Sequence, residues 1–139
     1  MKHKTILLGL NELNFDYINY YINQGLLPNF KKIFEIQTPI KTVSENEYKL
    51  LEPWIQWVTI YSGKTFEEHK IFRLGDIVNN QKLSQLFEEL ETEGLSVGAV
   101  SPFNADNRLT DPSFFVPDPW TNTKPSGNWI VKALYQAVH

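Results

Sequence analysis

Two short apolar runs, at residues 5–10 and 95–100, constrain the fold of this chain more than any other feature. The first is continuously apolar, which is the pattern of a strand buried on both faces of a parallel sheet. The residues between the runs carry helix signals, and the order strand, helices, strand is that of an α/β sheet with crossover connections. The sequence therefore predicts an α/β fold with a mostly parallel sheet flanked by helices.

Caps and the spacing of apolar residues predict five helical segments. A glycine after a segment suits the left-handed position beyond a helix, and a proline at the start gives up an N–H that has no intrahelical partner. The third segment is apolar on nearly every side, so we expect it to be buried against the sheet. The segments are residues 15–24, 28–34, 53–62, 82–93 and 126–139.

Residues 101–125 are predicted to form a long irregular loop. They hold five of the eight prolines, with Asn and Asp between them. Long loops in compact domains are more often functional or linking than idle. Within this loop, Trp120 is either a sugar-stacking platform or a lid on the core, and we expect the core.

The apolar stripe of the last helical segment runs into the C-terminus without a cap. A sheet of only two strands would also have exposed edges, which complete proteins usually pair or cover. We therefore expect residues 1–139 to be the N-terminal part of a single, incomplete α/β domain. Its expected partner is the missing C-terminal half of that domain, or a second copy in a homo-oligomer.

Composition excludes several classes of partner and site. The formal net charge is −3 and the basic residues are dispersed, so the chain offers no electrostatic track for nucleic acid. Without cysteine there are no disulfides, no thiolate metal site and no cysteine nucleophile. The apolar run near the N-terminus is too short for a secretory signal or a membrane span. The expected location is therefore the cytoplasm.

Two segments resemble members of the alkaline phosphatase superfamily, in its type I phosphodiesterase and sulfatase-like branch. Residues 6–34, ILLGLNELNFDYINYYINQGLLPNFKKIF, are similar to the family's opening, a hydrophobic strand, a polar turn, a helix and a Gly-x-Leu-Pro-Asn entry to the next helix. Residues 52–72, EPWIQWVTIYSGKTFEEHKIF, are similar to its segment of Pro-x-Trp, Thr-Gly and His-Gly-Ile. The resemblance implies an alkaline-phosphatase-like fold, of which this chain holds the first part.

The resemblance also implies cleavage or transfer of phosphate, sulfate or phosphodiester groups with two divalent metal ions, such as zinc, manganese or magnesium. In that family an Asp after the first strand binds metal, and a Thr or Ser at the start of the following buried helix is the nucleophile. Metals and a helix N-terminus stabilise an anionic transition state. The matching positions here hold Asn11, a weaker ligand than a carboxylate, and Pro53, which has no nucleophilic side chain.

Carboxylates beside both positions are the expected substitutes. Asn11, Glu12 and Glu52 are the candidate metal ligands, with Glu52 expected to face the other two at the carboxyl end of the first strand. Glu52, Gln56 and Thr59 are the candidate catalytic residues. The alternatives are structural, with Glu12 a solvated loop residue and Glu52 a carboxylate favoured at a helix start. Gln56 and Thr59 would then bond to backbone groups.

Asn104, Asp106 and Arg108 follow the second predicted strand, where open α/β sheets place ligands. They are candidates for binding the phosphate or sugar of a substrate, while Asn and Asp are equally the standard turn formers. His69 matches a family histidine and is expected to be a structural hydrogen-bond donor.

Two functions follow from these residues. In the first, the full-length protein is a metal-assisted hydrolase or transferase of phosphate or sulfate esters. Its substrate is then a small anionic ester or a surface glycan, and this segment alone is inactive. In the second, it is a non-catalytic binding or structural protein that kept the fold and lost the chemistry.

Overall fold

The computed structural model describes residues 4–138, which fall into two compact units, one ending at Val43 and the other beginning at Ser44. The expectation of a single domain stays a prediction. Six α-helices and a small two-stranded parallel sheet form within the described residues. The chain therefore has a mixed α/β fold.

The first unit contains two helices that match the predicted segments. Helix α1 spans Phe15–Asn23, and the Asn14 side chain caps it by accepting the N–H groups of the first turn. Gly25 follows in the left-handed region at φ 74°, where a residue without Cβ is favoured. Helix α2 spans Pro28–Ile36 with its proline in the first turn. Local signals thus placed both helices to within two residues of their predicted ends.

The strand predicted at residues 5–10 does not form. Residues 4–10 have no regular secondary structure, and Ile6, Leu7 and Leu8 are exposed, the first at 89% of its surface. An apolar run supplies the side chains of a buried strand but not the neighbouring strands whose backbone groups it must pair with. The prediction was therefore wrong for the described structure.

The second unit opens with a short 3-10 turn at Tyr48–Leu50 and then helix α3, Pro53–Ser62. Gly63 ends α3 in the left-handed region at φ 64°, as predicted. Helix α4, Phe66–His69, has a capping box in which Thr65 and Glu68 bond reciprocally. A second 3-10 turn, Asp76–Asn79, follows.

Helix α5 spans Leu86–Thr92, four residues shorter at its start than the apolar spacing predicted. A capping box between Gln85 and Glu88 fixes this start, because the two side chains satisfy N–H groups that a longer helix would use internally. Strand β1, Gly98–Val100, lies within the predicted second strand.

Strand β2, Phe114–Val116, lies inside the region predicted to be wholly irregular, so that prediction was wrong at these residues. It pairs in parallel with β1, with Ala99 opposite Phe115. Parallel strands need a crossover of about a dozen residues, which is usually a helix. Here the crossover is the loop of residues 101–113, in which the structure has no helix.

The core of the second unit forms two clusters of buried apolar residues. One joins Phe87 of α5 to Val97, Ala99, Ala105 and Phe115 around both strands, and the other joins Val58, Ile71 and Ile77. Tyr61 of α3 packs against the first cluster, which places α3 beside the core that includes the sheet. Helix α6, Trp129–Val138, packs on β2.

A side chain at Gly98 would require a neighbouring ring to move. The Phe114 ring of β2 covers it, and a Cβ at position 98 would lie 2.5 Å from that ring. None of the helices within residues 4–138 combines the length and the apolar character that crossing a lipid bilayer requires.

Candidate functional site

Asn104 ties the carboxyl end of β1 to the first turn of α3. Its side chain is fully buried, and its backbone has a left-handed φ of 50°. The Nδ2 group donates to the Trp54 carbonyl at 2.7 Å, and Oδ1 accepts the Gly75 N–H at 2.9 Å. The Asn104 N–H donates to the Asp118 carboxylate at 2.7 Å. One amide side chain thus holds three separate segments together at the carboxyl end of β1.

Asp118 is the second centre of this network, and it was not among the predicted site residues. It is fully buried, and its two oxygens accept four hydrogen bonds of 2.7–2.8 Å. The donors are the N–H groups of Asn104, Trp120 and Thr121 and the Thr121 hydroxyl. The sequence signal was an Asp with a Thr three residues later, which is a common way to build a side-chain-capped turn.

Asp106 and Arg108 form a largely buried ion pair. Arg108 Nε donates to Asp106 Oδ2 at 2.8 Å, and its remaining nitrogens donate to the carbonyls of Leu83 and Ile77 at 2.6 and 3.0 Å. The other Asp106 oxygen accepts the Thr123 hydroxyl. The bonds described thus engage all three nitrogens of the guanidinium group and both oxygens of the carboxylate.

Gln85 completes this second network by pairing with the backbone of Asp106 through both ends of its amide. Its Nε2 donates to the Asp106 carbonyl at 2.9 Å, and its Oε1 accepts the Asp106 N–H at 3.0 Å. Gln85 is itself buried and begins the capping box of α5. The loop after β1 is therefore fastened to α5 by side chains.

Gln56 and Thr59 on α3 both bond to backbone groups, which is the structural alternative considered for them. Gln56 Nε2 donates to the Leu50 carbonyl at 2.7 Å. The Thr59 hydroxyl lies 3.5 Å from the Ile55 carbonyl and 3.1 Å from His69 Nε2.

His69 is almost completely buried and uses both ring nitrogens. Its Nδ1 accepts the Ile71 N–H at 3.0 Å, so the proton of the neutral ring is on Nε2 and is donated to Thr59. Burial lowers the pKa of His69, and the negative charges of Glu45 and Glu68 oppose this shift. The histidine therefore favours its neutral form and bridges α3 and α4.

Glu52 is the residue before α3 and is half-buried. Its carbonyl accepts the N–H groups of Ile55 and Gln56 at 2.9 and 3.1 Å. Its carboxylate does not cap the helix, although unpaired N–H groups and the helix dipole favour a negative charge there.

Asn11 and Glu12 belong to the first unit, where both are exposed and form a turn with Glu12 at φ 60°. Glu52 belongs to the second unit, and its pairing with these two residues stays a prediction. Within residues 4–138, no three His, Cys, Asp or Glu side chains lie together as potential metal ligands.

Tyr61 lies between the rings of Trp57 and Phe87, with ring centroids 5.4 and 5.0 Å away. Burial raises its pKa to about 12, and a hydrogen bond from the Phe103 backbone opposes this shift. Tyr61 therefore stays protonated at neutral pH.

Trp120 is exposed over 61% of its surface, so the prediction that it covers the core was wrong. The reason is the turn around Asp118, which directs Thr121 inwards and leaves the indole outside. The Phe103 and Trp120 rings make an edge contact, inclined at 80° with ring centroids 5.5 Å apart.

Comparisons of this chain with protein-family models, with curated proteins and with solved structures find no match.

Proposed function

We propose that the full-length protein is a hydrolase or transferase of phosphate or sulfate esters, that its ester-binding edge is the amino end of α3, and that this segment alone is inactive. The observation that carries the proposal is the hydrogen bond from Asn104, in the loop after β1, to the Trp54 carbonyl in the first turn of α3. Ligands of open α/β sheets bind at strand carboxyl ends, and helix N-termini favour anions. Both features meet at Asn104.

Glu52 is the residue proposed to do chemistry at this edge. It is half-buried at the start of α3, where Pro53 supplies no nucleophile. A carboxylate in this place acts as a general base on a water molecule that attacks the ester. Gln56 and Thr59 then position α3 through their bonds to Leu50 and to His69.

The divalent metal ions that the resemblance implies do not fit the described residues by themselves. No group of three ligating side chains comes together within residues 4–138, and hydrolytic metal sites commonly use three protein ligands. The general-base role of Glu52 and the positioning roles of Gln56 and Thr59 do not require a metal ion. Asn11, Glu12 and Glu52 stay predicted metal ligands, with further ligands expected from the full-length protein.

A second function, that of a non-catalytic binding or structural module, is favoured by one observation. The guanidinium nitrogens of Arg108 donate hydrogen bonds to Asp106 and to two backbone carbonyls. The side-chain amide of Asn104 is hydrogen-bonded to the backbone of Trp54 and Gly75. Groups committed in this way stabilise the loop, and a ligand that recruits them must first break these bonds.

Turnover of aryl phosphate and aryl sulfate decides between the two functions. The full-length protein is assayed with zinc, manganese or magnesium, next to this segment and next to Glu52→Gln. Glu93→Gln, at an exposed position after α5, is the matched control. We expect turnover by the full-length protein that Glu52→Gln abolishes and Glu93→Gln retains, and none by the segment. No turnover by the full-length protein under any of these conditions would favour the non-catalytic module.

A further inference from the structure

We propose that the exposed face of Trp120 is a stacking platform for the sugar ring of a glycan. The indole is exposed over 61% of its surface, whereas Asp118 and Thr121, on the same turn, are fully buried. A large aromatic side chain gains free energy by leaving water, so a fold that buries its polar neighbours and leaves the ring outside forgoes that gain.

The exposed ring is held in place from two sides. The Trp120 N–H donates to Asp118 Oδ1 at 2.7 Å, which fixes the backbone. Phe103 fixes the ring through their edge contact, with centroids 5.5 Å apart. A ligand that stacks on a ring already held in one orientation loses less conformational entropy than one that must order a mobile side chain.

The network behind Trp120 is the one that reaches the amino end of α3. Asp118 accepts the N–H groups of both Trp120 and Asn104, and Asn104 donates to Trp54 in the first turn of α3. Asn104 Oδ1 also accepts the N–H of Gly75, and the Trp120 carbonyl lies near Gly75. The platform and the proposed ester-binding edge are thus parts of one hydrogen-bonded assembly.

The net charge of the chain favours a neutral sugar ring over an anionic ligand whose bases stack on aromatic side chains. The formal net charge of the chain is −3, which disfavours a polyanion whose bases would otherwise stack on tryptophan. The C–H groups of a sugar ring carry slight positive charge and pack on the negative face of an indole without any counter-charge.

The inference deepens the proposed function by naming a glycan as the ligand, and it rests on that function only for the ester that the glycan carries. Sugar binding is measured without turnover, so the two proposals fail separately. Sugar binding without ester hydrolysis would contradict the proposed enzymatic activity and support the Trp120 platform. Hydrolysis of aryl esters without sugar binding would support the activity and contradict the platform.

The test is a titration of the indole N–H resonances by NMR with maltohexaose and with a chitin hexasaccharide. We expect a saturable shift of the Trp120 resonance. Trp120→Ala should weaken binding by about tenfold or more, the size of one stacking contact, and Trp120→Phe should retain most of it. Trp129→Ala is the matched control, because Trp129 on α6 is exposed over 76% of its surface and should leave binding unchanged.

The Trp54 indole N–H, which donates to the Phe72 carbonyl at 3.1 Å, reports in the same spectra that each variant is folded. No saturable shift at Trp120 with either sugar would overturn the proposal. It would also be overturned if Trp129→Ala weakened binding as much as Trp120→Ala, since binding would then not depend on the platform.

Discussion

The two compact units of the chain both contain helices with caps but differ in what they bury. In the first unit, Ile18 is the only described apolar residue that is buried. The second unit buries two apolar clusters and two hydrogen-bonded networks around Asp118 and Asp106. Burial, which supplies most of the stability of a fold, is therefore concentrated in the second unit.

The largest expected effect is that of emptying the second unit's core. Phe115 is fully buried on β2, and its ring meets that of Phe87 at a centroid distance of 5.9 Å. Phe115→Ala should lower the free energy of unfolding by about 3–5 kcal/mol. Phe34→Ala, on the half-buried Phe34 of α2, should lower it by about 1 kcal/mol or less. Urea unfolding followed by circular dichroism measures both free energies. Equal losses in the two variants would show that burial is not concentrated in the second unit.

The next effect comes from the buried carboxylate of Asp118. Asp118→Asn keeps the shape but turns one acceptor into a donor that faces N–H or O–H groups, so the variant should lose about 2–3 kcal/mol. Asp111→Asn, at an exposed position, should change stability by less than about 0.5 kcal/mol. Thermal unfolding compares the pair. An Asp118→Asn protein as stable as the parent would show that the Asp118 network adds little to the second unit.

A smaller effect is the pH dependence contributed by His69. Because burial lowers its pKa in the folded state, the unfolded chain binds more protons between that value and the ordinary pKa of about 6.5. The stability contributed by neutral His69 should be complete above about pH 6.5 and should fall as the pH drops below it. Urea midpoints measured across this range should show the slope.

His69→Gln is the variant that isolates this slope, because Gln does not titrate. The variant should be less stable than the parent at neutral pH and should lack the part of the slope that His69 contributes. The negative charges of Glu45 and Glu68, which act on His69, are present in both proteins. A slope that is unchanged in His69→Gln would show that His69 does not contribute to the pH dependence of stability.

The smallest effect should be the same in both units. Gly25 and Gly63 follow α1 and α3 with φ of 74° and 64°, and a Cβ at either would meet no atom within 4 Å. Alanine at either position should therefore cost only the left-handed strain, about 1 kcal/mol. Hydrogen exchange of the last-turn amides of each helix measures this cost locally. A clear difference between the two would mean that caps are not independent of the core.

The sequence was sufficient where the physics is local. Pro53 and Gly63 set the ends of α3, and Gly25 set the end of α1, because each acts through its own backbone geometry. The apolar run at residues 5–10 carried no such information, since a strand depends on partners elsewhere in the chain. Strand β2 was missed for the same reason, because three residues gain strand structure only by pairing with β1.

The sequence could indicate which residue types belong to the candidate site but not which groups their side chains contact. Asn104 and Asp106 stand in a loop where turn formation and ligand binding use the same side chains, and only three-dimensional structure shows their internal bonds. Trp120 was placed in the core because large rings usually are, yet the turn around Asp118 leaves it outside. The pairing proposed among Asn11, Glu12 and Glu52 stays a prediction.

The Phe114 ring that covers Gly98 has a consequence for how this chain varies. A methyl group at position 98 would lie 2.5 Å from the ring, and the obstacle is a bulky aromatic side chain on the adjoining strand. Position 98 should accept another amino acid best together with a smaller residue at 114, because otherwise the Phe114 ring must move aside. In a library that randomises both positions, the survivors should show the two residues changing as a pair. The pairing of β1 with β2, which the sequence pattern did not predict, would then be visible as covariation between residues 98 and 114.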